Sequence, residues 1–174
     1  MSQERVGVVT FGGNPVTLLG PEIKVGDQAP NATLVDNGLK PISIEDFQGK
    51  VRLISVVPSL DTGVCDAQTR RFNEEASKLG DDVVILTISA DLPFGQKRWC
   101  GAAGIDRVVT LSDHRDMSFG AAFGTYIKEL RIDTRAVFVV DRDGKVTYVE
   151  YLKEVGQHPD YDQAVEAVKN TVAG

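Results

Sequence analysis

The sequence predicts an α/β domain of three layers, a mixed central sheet flanked by helices, and three observations carry that reading. Residues 51–57 and 83–89 are short, nearly continuous apolar runs, the pattern of strands buried on both faces. Residues Cys65, Thr69, Phe72, Ala76 and Leu79 recur at spacings of four, three, four and three, which puts them on one face of a helix between those strands. Near the end, Asp141-Arg142-Asp143-Gly144 is a turn joining strands 136–140 and 145–152, so the last strand pair is antiparallel.

The remaining elements follow in chain order. Residues 6–19 hold two β-rich runs around Phe11-Gly12-Gly13-Asn14-Pro15, a hairpin in front of the main domain. A loop-like stretch, 21–30, leads to a short strand at 32–35 and a one-turn helix start at Ser43-Ile44-Glu45-Asp46 with its capping serine. After strand 83–89 a helix over 94–103 carries Trp99 and Cys100 and stops at Gly104. A short strand at 108–111 and a helix over 115–123 come next. The last helix is capped by Asp160, with Tyr161, Ala164, Val165, Val168 and Val172 as the stripe that covers a sheet face. No repeat interrupts this order.

With 174 residues, 42% hydrophobic and 25% charged, the chain has the size and composition of one globular domain with a sizeable core. Residues 1–174 are therefore read as a single domain, residues 1–19 being a hairpin extension. The net charge of −6 and a pI near 4.9 supply no field for nucleic acid or an anionic membrane surface. Residues 1–9 are too short and polar for a signal peptide, and no apolar run approaches a membrane span, so a cytoplasmic location is expected. Two cysteines in a chain of this length make no disulfide framework; in a reducing cytosol they are either inert or catalytic.

Cys65 is the one placed for chemistry. A nucleophilic cysteine must hold its thiolate near neutral pH and be reachable from solvent. Cys65 falls in the first turn of its helix, where unpaired N–H groups and the helix dipole favour negative charge. Populating a thiolate there takes on the order of 2–3 kcal/mol relative to an ordinary thiol, and a helix end supplies about 0.3–1. Hydrogen bonds to a charged group contribute about 1.5–3 kcal/mol each, so a hydroxyl three residues upstream, where Thr62 stands, and one cation close the gap. Asp61 and Asp66 act the other way and strengthen the demand for a guanidinium; position alone singles out no arginine. The bland alternative is a small apolar residue on a buried helix stripe for Cys65, and a helix-face cysteine with no partner for Cys100, near which nothing marks activation.

The string Pro58-Ser59-Leu60-Asp61-Thr62-Gly63-Val64-Cys65 strongly resembles the active-site motif of the peroxiredoxin family: a proline, three residues, a threonine, two residues, then the reacting cysteine. The likeness continues through Arg71-Phe72-Asn73, Ile88-Ser89-Ala90-Asp91-Leu92-Pro93-Phe94 and Trp99-Cys100-Gly101-Ala102, which is similar to the bacterial thiol peroxidase subgroup. It covers nearly the whole chain and implies a thioredoxin-like fold.

It also implies roles. Cys65 attacks the peroxide, and Cys100, at the position of the subgroup's resolving cysteine, forms a disulfide with it. Arg135, which precedes Ala136-Val137-Phe138-Val139-Val140-Asp141, matches the family's arginine and becomes the candidate cation. Pro58 shields the sulfur from bulk water. A hydroperoxide substrate with a preference for alkyl hydroperoxides, thioredoxin as reductant and a homodimer are implied in the same way, with residues 6–19 as a rim of the substrate pocket. Val57 and Asp66 depart from the family's usual residues. Because a disulfide needs Cα atoms within about 7 Å, and a strand separates the two helices, at least one helix should unwind in turnover, eased by Gly63, Gly101 and Gly104.

Other signals are set aside. Cys65, Cys100, His114 and His158 lack the short spacings of a zinc site, so no metal is expected. The two histidines read as surface residues. Absence of a phosphate loop or dinucleotide fingerprint argues against a nucleotide cofactor. Arg70, Arg71, Lys97 and Arg98 read as solvated helix faces, although Arg70 or Arg71 could add field at the sulfur. Two rival functions remain: a thiol–disulfide oxidoreductase, which usually carries Cys-x-x-Cys, and a redox sensor or adaptor oxidised without recycling.

Overall fold

Strand β5 (Val51–Val56) is buried along its whole length, as its unbroken apolar run requires, and it lies near the middle of the larger sheet. The computed structural model describes residues 3–104 and 108–174; of the opening residues 1–9, Met1 and Ser2 lie outside them. In chain order the elements are β1 (Glu4–Phe11), β2 (Asn14–Leu19), β3 (Thr33–Val35), β4 (Pro41–Ser43), a 3-10 turn (Ile44–Phe47), β5, α1 (Gly63–Leu79), β6 (Val83–Ser89) and α2 (Pro93–Ala103). They continue with β7 (Val109–Ser112), α3 (Ser118–Phe123), β8 (Tyr126–Ile127), β9 (Ile132–Asp133), β10 (Ala136–Val140), β11 (Val146–Tyr151) and α4 (Tyr161–Ala173).

The larger sheet has seven strands in the order β11-β10-β5-β6-β7-β3-β4. β5, β6 and β7 run parallel, while β10 pairs antiparallel to β5 and β11 antiparallel to β10. The expected three-layer fold with a mixed sheet is therefore present, closing hairpin included. Alternation along the strands builds two cores. Ile54, Val56, Leu86, Ile88 and Phe138 meet Phe119 and Phe123 of α3 on one face. Leu53, Ile85, Val137 and Val139 meet Phe72 of α1 and Val165 and Val168 of α4 on the other. Both expected caps are in place: Ser43 heads the 3-10 turn with its N–H donated to Asp46 Oδ2 at 2.9 Å, and Asp160 accepts the N–H of Gln163; Thr62, not expected as a cap, accepts that of Cys65.

Two expectations need correction. The N-terminal hairpin does not merely precede the rest: β2 pairs with β8, and β8 with β9, making a four-stranded sheet β1-β2-β8-β9. Gly20 permits that docking, since it has φ +101 and a Cβ there would stand 2.3 Å from the Ala121 carbonyl oxygen. The helix expected over 115–123 begins only at Ser118, because Met117 adopts a left-handed φ of 50° and the Asp113 carboxylate takes the N–H groups of Phe119 and Gly120. Among the described residues no helix is long and apolar enough to cross a membrane.

Candidate active site

The loop from β5 into α1 brings Pro58, Thr62 and Cys65 to the C-terminal end of the central strands. Asp91, just beyond β6, pins that loop by accepting hydrogen bonds from Ser59 Oγ at 2.7 Å, Leu60 N at 2.8 Å and Ser89 Oγ at 2.8 Å. Thr62, the N-cap of α1, accepts from Cys65 N at 3.3 Å and donates its hydroxyl proton to the Ser59 carbonyl at 3.3 Å. Its hydroxyl therefore orders the helix start around the sulfur.

Arg135 comes from the other side, immediately before β10. Its Nη2 lies 3.0 Å from Cys65 Sγ, across 70 positions of sequence. The rest of the guanidinium is held in place: Nη1 donates to Gln68 Oε1 at 2.8 Å, and Nε to the Val155 carbonyl at 2.7 Å. Gln68 in turn donates to Ser55 Oγ at 2.7 Å. Arg135 is 2% exposed and Cys65 not at all. In so dry a setting a cation beside a sulfur is stabilised by a negative charge on it, and a charge-assisted bond there is worth more than in water.

The strand before Arg135 is anchored as well. Asp133 of β9 accepts from Thr125 Oγ1 at 2.8 Å and has the Asp113 carboxyl as its neighbour. Burial pushes both carboxyls up, and the charge of the neighbouring Asp113 adds to the rise at Asp133.

One expectation is revised here: the Cys65 sulfur is not open to solvent. Val57, Leu60 and Trp99 pack over it. What opens to solvent is a cavity of about 610 Å³ lined by Pro58, Thr62, Val64, Ile132, Arg135 and, from the β1–β2 turn, Phe11. Its wall is mostly apolar, and the turn is fastened by Glu154, which accepts from Thr10 Oγ1 and from Gly12 N, the latter at 2.8 Å. The hairpin is thus part of the cavity wall.

Cys100 sits on α2 in different company. Its thiol donates to Thr110 Oγ1 at 3.7 Å, and Thr110 passes its own proton to Asn37 Oδ1 at 3.1 Å. Burial pushes the Cys100 thiol up, offset in part by its hydrogen bond with Thr110. Both cysteines are free thiols.

The structure therefore gathers Cys65, Thr62, Pro58 and Arg135 and leaves Cys100 apart. Gln68 and Asp91 carry the geometry of the cluster but were not singled out from sequence; Gln68 lies one turn beyond Cys65 on the same helix face, the only local sign it gives. Two bland readings change. Arg70 is not merely solvated but ion-paired to Asp66 at 2.8 Å. His114 is half-buried rather than a surface residue, while His158 is exposed, with Nδ1 2.8 Å from the Tyr161 hydroxyl. No cluster of metal-binding side chains occurs among the described residues.

Comparison with known proteins agrees with the geometry. The redoxin family matches residues 24–165. The thiol peroxidase of Bacillus subtilis (strain 168) is 65% identical over 94% of this chain and 98% of its own, and that of Halalkalibacterium halodurans 63% over 92% and 96%. The crystal structure of a peroxiredoxin-like protein from Aquifex aeolicus superposes with a TM-score of 0.89 at 40% identity, covering 97% of this chain and 99% of that one. The chain belongs to the redoxin family.

Proposed function

We propose that this redoxin, a thiol peroxidase that reduces hydroperoxides, uses Cys65 as its nucleophile and Cys100 as the partner that completes the cycle. The observation that carries this reading is the buried Arg135 guanidinium 3.0 Å from Cys65 Sγ, beside an apolar cavity. The Cys65 thiolate attacks the terminal peroxide oxygen; the O–O bond breaks, sulfur supplies two electrons, and the leaving alkoxide takes a proton to depart as alcohol or water. Cys65 is left as a sulfenic acid. Arg135 holds the thiolate and the attacked oxygen, Thr62 orders the helix start and meets the peroxide, and Pro58 keeps bulk water off.

The Cys100 thiol then attacks the sulfenic sulfur, an S–S bond forms and water leaves. An external dithiol, thioredoxin in this reading, returns both thiols. The apolar lining of the cavity supports alkyl hydroperoxides as substrates. Residues 1–174 act as one catalytic unit, with the hairpin of residues 1–19 closing its pocket. The location is cytoplasmic and the assembly a homodimer; Leu92 and Phe94, 55% and 66% exposed beside the site loop, support a second copy covering that edge.

The test is NADPH-coupled turnover of cumene hydroperoxide with thioredoxin and its reductase. Cys65→Ser abolishes peroxide consumption, and Cys100→Ser keeps one turnover of peroxide but loses recycling. Full activity without Cys65 would sink the assignment, and oxidation that thioredoxin never reverses would point to a sensor instead.

A further inference from the structure

Asp66 follows Cys65 on α1, and Trp99 precedes Cys100 on α2, and these two neighbours are bonded to each other. Trp99 Nε1 donates to Asp66 Oδ1 at 3.1 Å. The other carboxylate oxygen accepts from Arg70 Nε at 2.8 Å. The Arg70 guanidinium then reaches α2 in two ways, standing 5.8 Å from the Trp99 ring centre and donating to the Ala103 carbonyl at 3.3 Å. Below the network the Trp99 ring packs on Val57, Leu60 and Cys65 itself.

We propose that Asp66, Arg70 and Trp99 are positioning residues forming a latch that holds the helix of Cys100 against the helix of Cys65 and sets how fast the second thiol reaches the first. The inference rests on the reading above, in which Cys65 becomes a sulfenic acid and Cys100 resolves it.

The two halves of α2 are held very differently. Its N-terminal half is tied to the sheet by the buried Gln96, whose Nε2 donates to Ser89 Oγ and to the Leu111 carbonyl, both at 3.0 Å. Its C-terminal half is Cys100-Gly101-Ala102-Ala103 before Gly104, with Gly101 and Ala102 exposed and no large apolar side chain to bury. Such a segment opens at small cost, and the Asp66–Arg70–Trp99 contacts tie it to α1 among the described residues. The two sulfurs face different partners, Arg135 for Cys65 and Thr110 for Cys100. Bringing them to bonding distance requires this segment to move, so the latch must break before the S–S bond forms. While it holds, Cys65 stays a sulfenic acid within reach of a second peroxide, which oxidises it to the sulfinic acid. The latch thus divides the enzyme between resolution and overoxidation.

The experiment mixes fully reduced protein with cumene hydroperoxide in quenched flow and counts sulfenic acid, disulfide and sulfinic acid at Cys65 by mass spectrometry. Trp99→Phe keeps the ring and removes the indole N–H; Asp66→Ala removes the acceptor for both Trp99 and Arg70. Both variants should form the disulfide roughly tenfold faster, a change of about 1.4 kcal/mol, and yield less sulfinic acid at high peroxide. The double variant should match Asp66→Ala alone, because Asp66→Ala already removes the bond that Trp99→Phe breaks. A disulfide step unchanged or slowed in either variant, or gains that add in the double variant, overturns the latch. If wild-type Cys65 forms no sulfenic acid at all, the underlying reading fails instead, and the two failures are told apart.

Discussion

Cys65 and Cys100 are both helix cysteines, yet they meet very different neighbours. Cys65 lies at a helix start, fully buried, with a guanidinium at 3.0 Å that is itself gripped by Gln68 and the Val155 carbonyl. Cys100 lies late in its helix, half-buried, and its polar neighbour is a neutral hydroxyl at 3.7 Å whose proton points away to Asn37. The first sulfur has a fixed cation beside it; the second has a neutral hydroxyl, and burial raises its thiol above the ordinary value. A nucleophile that must meet a substrate benefits from preorganisation, and a thiol that must travel benefits from weak ties.

The sharpest way to break this contrast is to remove the cation. Arg135→Ala should lower the rate of Cys65 oxidation by roughly 10²–10³, the usual effect of deleting one donor aimed at developing charge, while the disulfide step in molecules already oxidised changes far less; single-turnover kinetics separates the two. Gln68→Ala leaves the guanidinium in place but frees one arm, and about a tenfold loss in the same step is expected from one charge-assisted bond. Equal losses in Arg135→Ala and Gln68→Ala would mean that the site tolerates no motion of the cation.

On the Cys100 side the effects are smaller. Thr110→Val removes the acceptor of a long S–H bond, and the disulfide step should speed up by a few-fold at most, about 0.5–1 kcal/mol, with peroxide consumption in the first step unaltered. The pH dependence is subtler still. The Cys100 thiol is raised above its ordinary value in the fold, so the folded state favours its proton. That contribution is complete below the ordinary thiol range and is lost as pH rises through the folded value. Reduced wild-type protein should therefore lose stability relative to Cys100→Ser as pH climbs above about 8.5, measured by urea unfolding across that range; a constant difference would show that burial of this thiol has no energetic weight.

How far the chain could be read locally differs between the same two regions. The apolar runs of β5, β6 and β10, the N-caps Ser43 and Asp160 and the stripe from Cys65 to Leu79 all depend on neighbours within a turn or two, and each is where local chemistry places it. The strand pairs β8 and β9, two residues each, carry no such pattern and exist because the hairpin docks on them. The start of α3 departs from the local pattern for a related reason, since its first N–H groups are taken by Asp113 from outside the helix.

At the site, the motif from Pro58 to Cys65 is contiguous and therefore legible, and kinship pointed to Arg135. Periodicity and capping rules act over a few residues, which is why elements and core faces can be inferred from the chain alone. The bond from Arg135 to Cys65, the support from Gln68 and Val155, the burial of the sulfur and the Asp66–Trp99 contact join residues tens of positions apart. Their energies depend on distances and desolvation that exist only once the sheet has brought β10, α1 and α2 together.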